Sequence, residues 1–513
     1  MVLPGKLIRY HERNKMESFD LLMNGLSAAF GADMLLATFL GVVLGLAVGV
    51  LPALGPAAAV AILLPVIVQF EPATAIAGLA GVYYGAMYGG AVTSILLGIP
   101  GESASLMTML DGYPLAQRGE AGRALGISIF SSFVGGMIAI VLFTAVAAPF
   151  AEFAVRFGPP EMTALMIMAL VFSTALGGDD VWKGFVALGL GLWLGTMGLD
   201  IVSGLPRFDF GTVELLEGIE FAVVAIGLFG LGEIFVSISE KTERAERPSY
   251  TFRSLLPRVN DILVTWKDWL MGSIVGFIIG VLPGAGATAS TIFSYSVSKK
   301  MSKHPEEFGK GSLSGVAAPE SANNACSYSA MIPLFTLGIP GSGTTAIMLG
   351  GLLMLGLQPG PLLFEQHADF IWPVIGTFYT GNLILFVLTI LLVPVLASIV
   401  FIPIQVLFPI VTGIVLYGVY GLNNSIFDIG VALFFGVLGY VFKKLHYPSV
   451  PVLLGLVLGP ILEQGVRRSL IMSDGSPTIF FESYISVFLL LATASLIFIP
   501  LIKKIKIISM STT

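Results

Sequence analysis

The sequence predicts an all-α polytopic membrane protein made of two inverted structural repeats. Each repeat holds a re-entrant helical hairpin and a broken helix, and the chain makes about eleven crossings in all. Three observations predict it: the composition, a doubled pair of Gly/Pro motifs, and basic loops that alternate between the two halves. Of the 513 residues, 56% are hydrophobic and 11% charged, against roughly 25% charged in soluble domains. Charge-free runs at 34–70, 72–101, 124–151, 321–364 and 370–427 each exceed the ~20 residues of one helical crossing, and the last must hold at least two. Polar and apolar residues do not alternate within them, which argues for helices and against an outer-membrane barrel.

The remaining composition mostly excludes. The net charge of −6 sits in short loops and indicates no nucleic-acid partner. With Cys326 alone and four scattered histidines, neither a disulfide framework, a thiolate cluster nor a His-based metal site is expected. Residues 1–15 are polar and basic with no apolar core directly after them, so no cleavable signal is visible and Met16 is a more ordinary start.

The first motif pair is Gly49-Val50-Leu51-Pro52-Ala53-Leu54-Gly55-Pro56 and Gly280-Val281-Leu282-Pro283-Gly284-Ala285-Gly286-Ala287. The second is Leu97-Gly98-Ile99-Pro100-Gly101 and Leu337-Gly338-Ile339-Pro340-Gly341. Pro52 and Pro283 are 231 residues apart and Pro100 and Pro340 are 240 apart, a shift that also lays Tyr88 on Tyr328. Unequal loops between two copies of one unit leave such a drift. The organisation that follows is a polar N-terminal extension at 1–15, membrane repeat 1 at 16–245, and a cytoplasmic linker with an interfacial helix at 246–266. Membrane repeat 2 follows at 267–484, then an extra span with a basic tail at 485–513.

Lys and Arg in short loops argue the orientation. The loop Gln69-Phe70-Glu71-Pro72 has no basic residue, whereas its counterpart carries Lys299, Lys300, Lys303 and Lys310. After the second motif the bias reverses, to Arg118 and Arg123 in copy one against Glu365 and Asp369 in copy two. It reverses again with Lys443 and Lys444 against the acid-rich 199–217 loop. Equivalent loops therefore fall on opposite sides, which inversion explains; the basic N-terminus (Lys6, Arg9, Arg13, Lys15), which inversion would place outside, runs against it. The alternative is twelve plain crossings with parallel copies. Under inversion the segments 35–70 and 269–298 are hairpins, and the amphipathic 17–32 and 252–266 lie in the interface as helices.

Proline removes a backbone donor and displaces the carbonyl four residues back, and glycine permits the positive φ that reverses a chain. Breaks of this kind survive in a membrane only against protein or a wet cavity. In discontinuous transporter helices the freed carbonyls coordinate cations and the freed N–H groups face anions. The ion is therefore assigned to Pro52, Gly55, Thr93, Pro283, Gly284, Gly286 and Asn323. The anion is assigned to Gly101, Ser103, Ser94, Asn324, Gly341, Ser342 and Thr344. Singly, each small polar side chain is a cap or packing group as readily as a ligand; four breaks paired by symmetry favour the site. Pro56 suits the first position of a returning half-helix. Glu102, the one acid at a break, is either a first-turn carboxylate or a coupling group, Glu320 is expected at a span end, and Cys326 as a small packing residue.

Enzyme motifs fail. Gly311-Ser312-Leu313-Ser314-Gly315 has leucine at the nucleophile position, and Gly177-Gly178-Asp179-Asp180 lacks a partner aspartate in another apolar span. No His-Glu-x-x-His and no phosphate loop is present. The alternatives that stay open are a membrane-embedded enzyme acting on a lipid or peptide, and an anion channel.

The doubled Gly-x-Leu-Pro-Gly-x-Gly and Gly-Ile-Pro-Gly motifs resemble the large membrane subunit of the tripartite tricarboxylate transporters, the TctA family, over about 16–500. So do Leu110-Asp111-Gly112-Tyr113-Pro114, Pro319-Glu320-Ser321-Ala322-Asn323-Asn324 and Gly230-Leu231-Gly232-Glu233-Ile234-Phe235. Copy one departs at Ala53, where Gly284 stands in copy two. The resemblance implies a multi-pass permease of the bacterial inner membrane with a small membrane subunit (TctB-like) and a periplasmic solute-binding protein (TctC-like). It implies secondary uptake of citrate or related carboxylates driven by Na+ or H+ with no other cofactor, by an elevator motion.

Overall fold

The structure, a computed structural model, describes residues 20–51, 54–176, 180–200, 202–239, 252–282, 284, 286–399 and 404–511. The expected extension at 1–15 lies outside them. Among these residues eight helices are long and apolar enough to cross a membrane, and six shorter apolar helices accompany them. The chain is an all-α polytopic membrane protein. Its only strands among the described residues are β1 (Gly198–Leu199) and β2 (Pro206–Arg207), one antiparallel pair.

The first half opens with α1 (20–29), α2 (Ala32–Gly49), α3 (Pro56–Ile67) and α4 (Pro72–Leu97). Beyond the second motif come α5 (Leu106–Leu115), α6 (Ala121–Ala154), α7 (Pro159–Leu176), α8 (Val181–Leu194), and α9 (Phe221–Ala225) running through a wide turn into α10 (Gly232–Ser239). The second half has α11 (Val259–Val281), α12 (Gly286–Met301), α13 (Leu313–Ser329) and α14 (Met331–Leu337). After its second motif follow α15 (Gly343–Met354), α16 (Leu363–Gln366), α17 (Ala368–Ile399), α18 (Ile404–Asn423), α19 (Ile426–Lys444) and α20 (Val450–Met472), then α21 (Tyr484–Ser511).

Two helices form the centre. α4 is buried on every side from Ala75 to Leu96, and α13 from Gly315 to Ser329. Each takes a neighbour at backbone distance through small residues, the usual means of packing helices in lipid. Along α2, Gly41, Gly45 and Gly49 face the backbone of Gly78, Val82 and Ala86 on α4; along α11, Gly272, Gly276 and Gly280 face Ala318, Ala322 and Cys326 on α13. Both pairs advance in the same direction, so α2 runs parallel to α4 and α11 to α13.

Each Leu-Pro segment doubles back. Gly78 has both Ala37 of α2 and Ile67 of α3 beside it, which places the open ends of that pair together. In the second half, Ser298 on α12 donates to Asp268 on α11 at 2.6 Å across the same place. α3 begins on Pro56, as its fixed φ favours. The second motifs end α4 and α14 on left-handed glycines, Gly98 (φ 66) and Gly338 (φ 69), a standard helix stop that β-carbons disfavour.

One expectation is corrected. The segment 252–266 is not a separate interfacial helix: one short turn, Phe252–Leu255, precedes α11, which runs unbroken from Val259. No glycine or proline lies between Asn260 and Gly272 to interrupt it, and Asp261 is held at 2.6 Å by Arg123 of α6.

Packing partners recur between the halves. α17 lies on α2 and α6 lies on α11; α8 packs on α20, and α19 on the turn between α9 and α10; α15 lies on α3, while α12 meets α5. At one end Arg118 donates to the Lys310 carbonyl, Lys183 to the Leu445 carbonyl at 2.6 Å, and Lys443 pairs with Glu233. At the other the β1–β2 hairpin is pinned to α20.

That pin centres on Asp200. It accepts from Arg467 at 2.7 Å and from the Val202 and Ser203 amides at 2.9 and 2.8 Å, while Arg207 joins Glu463 at 3.0 Å. Arg467 first, then the two amides, hold the Asp200 carboxyl well below its ordinary value near 3.8. A depressed folded value means the stabilisation is complete above the ordinary value and is lost only as pH falls through the lowered one. Asp200→Asn should therefore loosen the hairpin at neutral pH, read as faster proteolysis within 198–218, while the wild type should resist down to pH ~4. Equal cleavage of the two proteins would refute the pin.

Candidate substrate and ion site

The four breaks come together, and they meet across the halves as well as within them. Within the first half, Thr93 on α4 donates to the Val50 carbonyl at the first tip at 3.1 Å, and a side chain at Gly55 would touch Glu102. Within the second, the Gly284 amide donates to the Gly341 carbonyl at 3.0 Å, joining tip to break. Across the halves, Ser103 meets Thr288 in the first turn of α12 at 2.9 Å, and Asn323 Nδ2 donates to Glu102 Oε1 at 3.0 Å. Tyr83 of α4 reaches Ser342 at 3.5 Å.

The last two contacts are the same contact twice. Tyr83 stands to Asn323, and Glu102 to Ser342, at the 240-residue shift of the second motifs. Each central helix thus presents a polar side chain to the break of the opposite half. Gly101 and Gly341 allow this closeness: a Cβ at Gly101 would meet Gly90, and one at Gly341 would lie 2.8 Å from the Gly280 carbonyl and 3.1 Å from Ala330 Cα.

The assigned residues divide by what they already hold. Ser94 bonds the Gly90 carbonyl at 2.9 Å and Ser105 at 2.8 Å, and receives the Gly101 amide at 3.4 Å, so it closes the first break from within. Ser342 caps α15 by a reciprocal pair with Thr345, its amide reaching Thr345 Oγ1 at 2.8 Å. Thr344 is buried in the first turn of α15. Asn324 sends its amide nitrogen to the Glu320 carbonyl at 3.2 Å. Gly284 (φ 79) and Gly286 (φ 66) hold the left-handed conformation at the second tip. Pro52 and Pro283 lie outside the described residues.

What remains unspent is oxygen. The side-chain carbonyls of Asn323 and Asn324 and the hydroxyls of Tyr84, Tyr88 and Tyr328 are buried without a hydrogen-bond partner among the described residues. Tyr84 and Tyr328 stack at 5.3 Å. Buried polar atoms are nearly always satisfied, so this cluster suits a ligand or ordered water. Ser103 is exposed and Gly98 to Pro100 half-buried, whereas Gly338 to Gly341 are all buried. The first break is the open one.

One placement differs from the sequence reading. Glu320 is not at a span end: it sits midway along α13, wholly buried, taking Thr108 Oγ1 at 2.5 Å and Ser132 Oγ at 2.8 Å. Its charge suggested a boundary, but α5 and α6 turn hydroxyls toward it. Glu102 sits just ahead of the 103–105 turn, as a first-turn acid would, yet its carboxylate is engaged by Asn323 of the other half. Cys326 is a buried packing residue against Gly280. Tyr83 and Thr288 were missed, although extending the Tyr88–Tyr328 alignment by five residues lays Tyr83 on Asn323.

A family described as the tripartite tricarboxylate transporter TctA family matches residues 35–454. An uncharacterized 52.8 kDa protein in the TAR-I ttuC' 3' region of Agrobacterium vitis is 39% identical over 490 residues, covering 95% of this chain and 97% of its own. A second uncharacterized protein, in the TAR-II ttuC' 3' region of the same organism, is 40% identical over 215 residues, covering 42% of this chain and 89% of its own. No solved structure matches significantly.

Proposed function

Because the chain belongs to the tripartite tricarboxylate transporter TctA family, we propose that it imports a carboxylate anion by cation-coupled secondary transport. The family is one of transporters and not of enzymes, and its members are large subunits that work with a small membrane partner and a periplasmic binding partner. The finer reading is a permease of the bacterial inner membrane taking citrate or a related tricarboxylate, with TctB-like and TctC-like partners and Na+ or H+ as coupling ion.

The observation that carries it is the meeting of Glu102 and Ser103 at the first break with Asn323 of α13 and Thr288 in the first turn of α12, four polar groups from opposite halves. The start of α12 turns amides and the positive end of a helix dipole toward that point, which favours a carboxylate. In this reading Ser103, Thr288, Ser342 and Thr344 hold the anion together with the Gly101 and Gly341 backbone, and Ser94 shapes the first break. In the same reading Asn323, Asn324, Thr93, Gly55, Gly284 and Gly286 form the ion side.

Inverted repeats are the arrangement that fits. Each central helix packs on its hairpin in the same manner, the cross-half pairs exchange partners under the motif shift, and Arg118 reaches Lys310 at one end. Repeats related in this way are the usual frame for alternating access around a midplane site. An elevator motion would carry the hairpins with α4 and α13.

Proteoliposomes holding this chain with its small subunit and a purified binding protein should accumulate one member of a carboxylate panel only under an imposed Na+ or H+ gradient. Equilibration without accumulation would indicate a channel and overturn the proposal. Ser103→Leu should reduce uptake at least tenfold, on the scale of losing two polar contacts to a charged solute; unchanged uptake would place the anion elsewhere.

A further inference from the structure

α13 carries one acid, Glu320, and buries it completely. Both carboxyl oxygens meet hydroxyls: Thr108 of α5 lies 2.5 Å from Oε1 and Ser132 of α6 2.8 Å from Oε2, with Ser128 of α6 also in hydrogen-bonding reach. Lys267 on α11 and Lys299 and Lys300 on α12 are exposed, and the buried or half-buried charged groups on the elements packed against α13 are committed elsewhere or are acids. On α6, Arg123 is bound to Asp261 of α11 and to Glu120 at 2.6 and 2.7 Å. On α5, Asp111 takes the amides of residues 309–312 and the Tyr295 hydroxyl of α12. On α11, Asp268 holds Ser298. α4 contributes the Tyr88 hydroxyl and the first break contributes Glu102, both within electrostatic range.

A carboxylate sealed from water without a cation is costly, and the relief open to it is a proton. Ionisable groups inside a membrane span mark ion pathways for this reason. Hydroxyls suit such a group because each can donate to the carboxylate or turn and accept from the acid, so the cage is satisfied in both states. A second observation is independent of the carboxyl. The side-chain oxygens of Tyr88, Asn324, Tyr328 and Ser131, on α4, α13 and α6, are buried without a hydrogen-bond partner among the described residues. That is a polar region fit for ordered water.

We propose that Glu320 is a proton-binding site and that its proton is the coupling ion. Loaded, the carboxyl bridges α13 to α5 and α6. Unloading breaks the carboxyl O–H bond, leaves the electron pair on Glu320, and hands the proton to water. The link to the solute is short. Thr108 lies on the helix that leads out of the first break, Asn324 is bonded to the Glu320 carbonyl, and Asn323 holds Glu102. Charging Glu320 would repel Glu102 and strain its hydrogen bond with Asn323. This inference rests on the transport reading and names its ion.

The test uses the complete transporter in proteoliposomes with a pH-sensitive dye inside, a transported carboxylate, and Glu320→Gln. Two quantities are read, accumulation driven by an inward proton gradient and exchange of solute across preloaded vesicles. The ratio of driven accumulation to exchange should fall at least tenfold, and solute-dependent acidification should vanish. A ratio and an acidification equal to wild type would overturn the inference while exchange upholds transport; absence of exchange in the wild type would instead remove the transport reading. Should Glu320→Gln fail to assemble, Thr108→Val is read in its place. It should move the pH of half-maximal accumulation, and an unmoved profile would overturn the inference.

Discussion

Gly341→Val should abolish uptake and also destabilise the purified protein. Motif position alone argues only for lost function; the packing adds the second effect. A β-carbon at 341 would lie 2.8 Å from the Gly280 carbonyl and 3.0 Å from the Ala330 side chain, neither of which can swing aside. The Gly341 carbonyl also receives the Gly284 amide at 3.0 Å. Valine would therefore push the second hairpin tip from the second break, and overpacking of this kind costs about 1–3 kcal/mol. A lowered melting temperature in detergent with uptake at background is the expected pair of results. Wild-type uptake from this variant would show that the meeting of tip and break is not needed for transport.

Asp111→Ala should be the most destabilising single change on the α5 face. Residues 309–312 turn four amides onto one oxygen, Oδ1, at 2.9, 3.1, 2.8 and 2.7 Å, while Tyr295 donates to Oδ2 at 2.8 Å. Gly309 (φ 82) and Gly311 (φ 104) supply the alternating backbone that makes such an amide nest. Alanine would strand all five donors at the entry to α13. At roughly 1–3 kcal/mol for each buried group left unsatisfied, partial rescue by water still leaves a loss of about 3 kcal/mol or more. Asp111→Asn keeps one carbonyl oxygen and should lose less. The check is the order of melting temperatures, wild type above Asn above Ala; equal values for all three would mean that the nest stands without its acid.

Much of the fold was legible because glycine and proline act locally. The stops at Gly98 and Gly338 and the start of α3 at Pro56 follow from backbone allowances that any reader of the chain can apply. Repeated glycines at four-residue spacing likewise announce close helix contact. The limits were set by distance in sequence. Ser103 and Thr288 are 185 residues apart, and nothing in either stretch names the other. Glu320 was misplaced for a related reason: a charge in an apolar run suggests a boundary, and only the facing of α5 and α6 supplies its hydroxyls. The interfacial arm at 252–266 failed because amphipathic spacing does not distinguish a helix lying flat from the first turns of a longer one. The correspondence of Tyr83 to Asn323, by contrast, was available from the 240-residue motif shift and needed only a longer alignment.

The unequal exposure of the two breaks has a consequence for the working cycle. Gly98 to Pro100 are half-buried while Gly338 to Pro340 are shut in, and under the proposed inversion these two stretches occupy matching stations on either side of a shared axis. Under that proposal, giving each the surroundings of the other would turn the gateway to the opposite face. On that reading the second posture of such a machine is the first one read in mirror order.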